Sequence, residues 1–255
     1  MISIDLRGKV ALVTASSRGI GRSSALMLAQ AGAHVAVNYL SDKDAGESVA
    51  EEIRSLGGEA IVVQADVSQV AQIDALVDAT LEKWNKIDIL VANAGARVRV
   101  PLLDTTDEDF HQIFDSNVLS FVALVRAVAP GMIQRRYGRI IAMSSWVGKS
   151  GRGFSSTSPN YSGSKAAVIG YIKGMAHEFG PHGITVNGVC PGWIDWGTKH
   201  ADALEAVRQK ALDQIPLKRM GVPEDVAGAV MFFASTWSAY TTGVALDVNG
   251  GLYMA

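Results

Sequence analysis

Seven short apolar runs, with helix-like segments between them, restrict this chain more than any other feature. They are KVALVT (9–14), HVAVNY (34–39), AIVVQ (60–64), DILVAN (88–93), RIIAMS (139–144), TVNGV (185–189) and VALDV (244–248). They are rich in valine and isoleucine and bounded by polar or turn residues, as parallel strands covered on both faces are. Between them, VAQIDALVDATLEKW sets Ile73, Leu76, Val77, Leu81 and Trp84 at three- and four-residue spacing, with Ser68 as the expected N-cap. SDKDAGESVAEEIRSLGG opens on Ser41 and Asp42 and closes on Gly57 and Gly58, a start and a stop signal. Strands and helices in strict alternation call for an α/β fold. The expected architecture is a single Rossmann-like doubly wound domain over residues 1–255, a seven-stranded parallel sheet with helices on both faces. No repeat, low-complexity stretch or linker divides it. Residues 195–216 read as a mobile lid with its own helix, of the kind that excludes water from a site.

Composition narrows the partners. Hydrophobic residues make up 48% of the 255 and charged residues 19%, enough for a sizeable core. The net charge of −2 leaves no basic stripe for nucleic acid. One cysteine, Cys190, rules out an internal disulfide and a thiolate metal set. The five histidines show no metal-ligand clustering, and His177 and His182 read as helix-end groups. MISIDLRGKV carries Asp5, Arg7 and Lys9, which a signal peptide would not, and VLSFVALVRAVA is broken by Arg126, so no apolar run reaches bilayer length. A cytoplasmic protein without nucleic-acid, membrane or metal partners is expected.

Two segments carry chemistry. TASSRGIG (14–21) joins the first strand to a helix, and Gly19 and Gly21 would let backbone amides approach a pyrophosphate. Its spacing is not G-x-G-x-x-G, and an ordinary glycine-containing turn is an equal reading of it alone. In YSGSK, Tyr161 and Lys165 stand four apart on one helix face. An ammonium beside a phenol favours the phenolate. A fall of two to three pH units from about 10, roughly 3–4 kcal/mol, would make Tyr161 a general acid/base. The spacing alone is weak, because Tyr39 and Lys43 match it across a strand end.

Taken together, these residues resemble the short-chain dehydrogenase/reductase family, in its shorter single-domain branch. The resemblance covers essentially the whole chain. TASSRGIG is similar to the family's T-G-x-x-x-G-x-G, with Ala15 for the first glycine, a change expected to be tolerated at a negative φ. NAG (93–95), Asn117 in SNV, Ser145 in SSWVG, YSGSK, the PG of VCPGW and the C-terminal IPLKRMGVPEDVAGAVMFFAS…TGVALDVNGG follow in the family's order. Among members the chain is most similar to 3-oxoacyl-carrier-protein reductases and related carbonyl reductases.

The resemblance implies an oxidoreductase that interconverts a carbonyl and a secondary or primary alcohol by hydride transfer. Tyr161 would be the acid/base, Ser145 would hold the substrate oxygen, and Lys165 would lower the Tyr161 pKa and bind the nicotinamide ribose. Asn117 would hold a water linking Lys165 to solvent. The cofactor would meet Ser16, Ser17, Arg18, Gly19, Ile20 and Gly21 at the turn, then Asn38 at the end of the second strand, and Asp66 and Val67 at the adenine. Asn93, Ala94, Gly95, Tyr161 and Lys165 would border the central cleft. Pro191, Gly192, Ile194 and Thr198 would meet the nicotinamide end, where Trp196 replaces a usual Thr.

NADP(H) is favoured over NAD, because Tyr39 stands where an acidic residue would bind the ribose hydroxyls, and Arg18 and Lys43 add positive charge. Trp146, Trp193 and Trp196 are either core residues or, with Ser145 and Tyr161, an apolar substrate wall. Arg97 and Arg99 either meet an anionic group or are solvated. Of two basic positions expected to dock an acidic carrier protein, one is Arg136 and the other is His182, which favours a free hydrophobic or aromatic carbonyl. The helical patterns of 107–135, with Phe121, Leu124 and Val125, and of 161–179, with Val168, Tyr171 and Ile172, predict a homotetramer or a homodimer. The alternatives are a 3-oxoacyl-carrier-protein reductase, a sugar or polyol dehydrogenase and, from another class, a non-catalytic dinucleotide sensor. An intact Ser145, Tyr161 and Lys165 count against the sensor. A sugar-nucleotide epimerase would need different glycine spacing and an added domain.

Overall fold

Residues 4–97, 100–152, 159–195, 197 and 205–254 are described by a computed structural model. The strands are β1 (Val10–Val13), β2 (His34–Tyr39), β3 (Ala60–Gln64), β4 (Ile89–Ala92), β5 (Gly138–Met143), β6 (Ile184–Pro191) and β7 (Ala245–Val248). They form one sheet in the order β3-β2-β1-β4-β5-β6-β7. Every pairing is parallel, with Leu12 opposite Ala36 on one side and Leu90 on the other. β6 outruns the apolar run seen in the sequence because Cys190 and Pro191 still pair with Asp247 and Val248.

The helices are α1 (Gly19–Gln30), α2 (Lys43–Ser55), α3 (Val70–Trp84), α4 (Asp107–Phe114), α5 (Ser120–Arg135), α6 (Trp146–Ser150), α7 (Pro159–Phe179), α8 (Glu205–Gln214) and α9 (Pro223–Ala234). Strand side chains alternate between faces, so each strand feeds two cores. Leu12, Leu90, Ile140 and Val186 meet the buried faces of α3, α5 and α7. Val13, Val37, Ile89 and Val91 meet α1, α2 and α9, with Phe233 at the centre. Burying a side chain of this kind contributes about 1.5–3 kcal/mol. The strand order reverses between β1 and β4, which opens a crevice beyond their carboxyl ends.

Local starts and stops follow side-chain chemistry. Asp42 caps α2 by accepting from the Ala45 amide at 3.0 Å. Ser68 does not cap α3, contrary to expectation. Its amide and hydroxyl both donate to Asp66 Oδ1, at 2.9 and 2.7 Å, and the helix starts after Gln69. An Asx-type turn has captured the hydroxyl that would have served the helix. The helical stretch Asp107–Arg135 is long and apolar enough to cross a membrane by composition, but it is a core helix, with Phe121, Leu124, Val125 and Met132 buried.

Candidate active site

The turn after β1 is braced from three sides. The Thr14 hydroxyl accepts from the amides of Asn93 and Ala94, both at 3.0 Å. Asn93 Nδ2 donates to the carbonyls of Thr14 and Ala15 at 3.0 and 3.2 Å. Asn38, buried at the end of β2, accepts from the Ala15 amide at 2.9 Å and donates to the Ala65 carbonyl at 3.1 Å. The Ser16 hydroxyl donates to the Val13 carbonyl at 2.8 Å and accepts from the Asn38 amide at 2.9 Å. Thr14 and Asn38 thus shape the turn from inside; the sequence marks Thr14 only as the first letter of TASSRGIG.

Ala15 departs from expectation. Its φ is +49°, in the left-handed region, because the Asn38 and Asn93 bonds hold its amide and carbonyl in a turn that suits glycine. An L-residue there costs roughly 1–2 kcal/mol.

The residues present fit a dinucleotide. A Cβ on Gly21 would stand 2.3 Å from the Ala15 carbonyl oxygen, so only glycine lets the turn fold against α1. The first turn of α1 has neither a side-chain cap nor an acidic residue, which leaves its N-terminal end suited to a diphosphate. Arg18 is exposed at the N-cap. Tyr39 is buried, its ring over the site where a Gly46 Cβ would stand 3.1 Å away, and Lys43 is exposed at the start of α2. Asp66 is half-buried and Val67 buried just beyond β3. At the far end, Pro191 closes β6, and a Cβ on Gly192 would lie 2.6 Å from Asn249 Cα. Ile194 bridges to Gly221.

The groups that would do chemistry lie at the ends of β4 and β5. Ser145, buried, caps α6 by accepting from the Val147 amide. Tyr161 and Lys165 rise on α7. Lys165 is buried, and its Nζ donates to the Met143 carbonyl at 2.9 Å, while the Ser144 hydroxyl donates to the Lys165 carbonyl at 2.8 Å. Asn117 sits in a π-turn, Asp115–Leu119, between α4 and α5. Its amide accepts from Ala96 N at 2.8 Å and donates to Ala96 O and Ser164 Oγ at 3.0 and 2.9 Å. A Cβ on Gly95 would meet Asn117 Oδ1 at 2.7 Å and Lys165 Nζ at 3.2 Å, so these three converge. Ser164, inside YSGSK, was not singled out by the sequence reading.

The electrostatics differ from the simple expectation for a Tyr–Lys pair. Burial pushes the Tyr161 hydroxyl above its usual 10.0, and nearby Arg97 and the Ser145 hydroxyl pull it back. Lys165 is not among the groups that lower it. The ammonium lies 6.0 Å from the tyrosine ring centre and gives one of its three donors to the Met143 carbonyl. Burial brings Lys165 itself down to about 8, opposed by Cys190. Buried Cys190 is pushed up. Lys149, at the end of α6, is 2.7 Å from Asp247 and 2.8 Å from the Ala245 carbonyl, which fastens the helix capped by Ser145 to β7.

Trp146 and Trp193 are half-buried. Trp193 and Ile194 line a cavity of about 420 Å³ with Ile215, Pro216, Leu217 and Asn249. Trp196, Thr198 and Arg99 lie outside the described residues, as do the other residues of 198–204 in the expected 195–216 lid.

A doubly wound parallel sheet with a glycine-lined turn at its switch point is the architecture of a dinucleotide-binding protein. A family model described as enoyl-(acyl carrier protein) reductase matches residues 14–253. A 3-oxoacyl-[acyl-carrier-protein] reductase of Synechocystis sp. is 42% identical over 250 residues, 98% of each chain. The 3-oxoacyl-[acyl-carrier-protein] reductase FabG of Vibrio cholerae is 39% identical over 252 residues, 98% of this chain and all of that one. A crystal structure from Sinorhizobium meliloti 1021, provisionally assigned as a short-chain alcohol dehydrogenase, superposes with a TM-score of 0.91 at 31% identity over 97% of both chains. The chain belongs to the short-chain dehydrogenase/reductase family. It is an oxidoreductase, and its family implies a nicotinamide dinucleotide, NAD or NADP.

Proposed function

We propose that this protein is an NADPH-dependent reductase of a free carbonyl compound, with Tyr161 as the proton donor. The observation that carries the reading is the convergence of Ser145, Tyr161 and buried Lys165 at the ends of β4 and β5, beside the glycine-lined turn. Bound NADPH supplies the hydride that the carbonyl carbon receives. Ser145 holds the carbonyl oxygen by a hydrogen bond. Tyr161, protonated at neutral pH as a phenol with a pKa above 10.0 is, gives that oxygen its proton. Lys165 binds the nicotinamide ribose and brings positive charge to the phenolate that forms. Asn117 fixes Ala96 and Ser164 around Lys165, and the half-buried Trp146 and Trp193 give the substrate an apolar wall.

The preference for NADPH rests on charge at the adenosine ribose. Arg18 is exposed beside the turn, Tyr39 supplies no carboxylate, and the Asp42 carboxylate is turned to the Ala45 amide. NADPH should exceed NADH in kcat/KM by at least about tenfold, and Arg18→Ala should remove most of that margin, since a charge-assisted contact contributes roughly 1.5–3 kcal/mol. A wild type that works better with NADH would sink the assignment.

The reading against a carrier-bound acyl chain rests on the docking face. Arg136 donates to the Pro181 carbonyl at 3.0 Å, and His182, half-buried, stands where a second permanent cation is expected. A 3-oxoacyl-carrier-protein reductase is the second reading, favoured by the named relatives. The single buried cysteine is in keeping with the cytoplasm.

A homotetramer or homodimer is part of this reading. Phe121, Leu124, Val125, Val168 and Ile172 are core residues of one subunit and are unavailable for pairing. The outer surface of α7 carries Gly163, Gly170 and Gly174 with open space above them and Tyr171 44% exposed. Edge strand β7 exposes Leu246 beside Val244, Tyr240 and Trp237. Light scattering should give two or four times 27.0 kDa; a particle of 27.0 kDa at micromolar concentration would count decisively against assembly.

A further inference from the structure

Among the described residues, Arg97 is a charged side chain beside Tyr161 to which the proton-transfer scheme gives no role. Its guanidinium lies 5.6 Å from the centre of the Tyr161 ring, on an exposed residue two positions beyond Gly95. The backbone that carries it is fixed. Asn117 clamps the amide and the carbonyl of Ala96, at 2.8 and 3.0 Å, so the chain leaves that clamp directly into Arg97. A guanidinium presents a planar fork of donors that matches a carboxylate in two parallel bonds.

We propose that Arg97 recognises a carboxylate on the substrate, which makes the substrate class an oxo acid with its carboxylate a few bonds from the carbonyl reduced. The inference rests on the reductase reading above and deepens it. The distance decides which anion fits. An anion on Arg97 lies next to the ring of Tyr161, whose hydroxyl must touch the carbonyl oxygen, so charge and carbonyl are near neighbours in one molecule. The phosphate of a carrier protein's pantetheine arm stands at the far end of a long chain from the acyl carbonyl and does not meet this spacing. Trp146 would then pack against the rest of the acid, and an aryl or branched oxo acid suits that wall. The cation also opposes the effect of burial on Tyr161. Its removal therefore slows every substrate to some degree, and the test must be a ratio.

The experiment uses benzoylformate and its uncharged methyl ester as a matched pair with NADPH. The ratio of kcat/KM, acid over ester, should fall at least tenfold in Arg97→Ala, about 1.4 kcal/mol in transition-state terms, and recover in part in Arg97→Lys. A ratio that does not move in Arg97→Ala overturns the proposal. A parallel measurement needs no turnover: calorimetric titration with benzoate and with benzamide, NADP present. Benzoate should bind and benzamide should not, and Arg97→Ala should lose the benzoate heat. If benzoate binds through Arg97 but neither oxo compound is reduced, the anion site stands and the reductase reading fails. If the ester is reduced while benzoate does not bind and the ratio is unchanged, the reductase reading stands and the anion site fails.

Discussion

Tyr161→Phe should lower kcat by about 10²–10⁴-fold, the usual contribution of a positioned general acid, while the Kd for NADPH stays near that of the wild type. The substitution removes one hydroxyl and leaves the ring that packs against Arg97. Ser145 and Lys165 hold their places without that hydroxyl, since one is fixed by the start of α6 and the other by the Met143 carbonyl. Loss of turnover with cofactor binding retained would therefore report the missing proton. Near-normal kcat in this variant would show that another group donates it.

The second large effect is set by Lys165 and read through pH. Its folded value, about 8, lies below the ordinary 10.5 because burial penalises the charge. Below pH 8 the ammonium is present and can support the phenolate left by proton transfer. Above pH 8 it is lost, so kcat/KM for reduction should fall along a limb with its midpoint near 8, the value belonging to the free enzyme. Stability moves the other way. Between about 8 and 10.5 the unfolded chain binds more protons at this position than the folded one, so the contribution of Lys165 to stability rises with pH in that window. Opposite trends in activity and stability distinguish this titration from alkaline unfolding. Lys165→Met should lose about 10²-fold or more in kcat/KM and with it the limb near 8. A limb that persists unchanged in Lys165→Met would assign it to another group.

Much of the architecture was legible because a strand buried on both faces leaves a local trace. All seven apolar runs became strands, and their ends moved by two residues at most. Their spatial order was legible only through the family resemblance, since a run such as Ile89–Ala92 records that it is buried and not which strand lies beside it. Local signals failed where two side chains competed for one hydroxyl. Ser68 was claimed by Asp66 and left α3 without its expected cap. They failed also where backbone geometry was imposed from afar, as at Ala15, held at a positive φ by Asn38 and Asn93.

At the site, YSGSK puts Tyr161 and Lys165 on one helix, but the direction in which Lys165 points depends on a carbonyl 22 residues earlier. The ammonium stands 6.0 Å from the centre of the phenol ring, and Arg97 and Ser145 are the groups that pull the Tyr161 pKa down. Lys149 and Asp247, 98 residues apart, gave no sign in the sequence that they would fasten α6 to the sheet edge. Arg97 was one of two arginines after NAG with no feature to separate them; its contact with Tyr161 exists only once α7 is packed against the loop after β4.

The substrate proposed for this site is a free carbonyl compound and not an acyl chain on a carrier protein. It is tested most directly by measuring kcat/KM with NADPH for small aromatic and aliphatic carbonyls and for a 3-oxoacyl-carrier protein in one competition assay. A free carbonyl should be turned over better, because the docking face offers Arg136 and a histidine instead of two permanent cations. A preference of two orders of magnitude or more for the carrier-bound substrate, roughly 2.7 kcal/mol in the transition state, would contradict it.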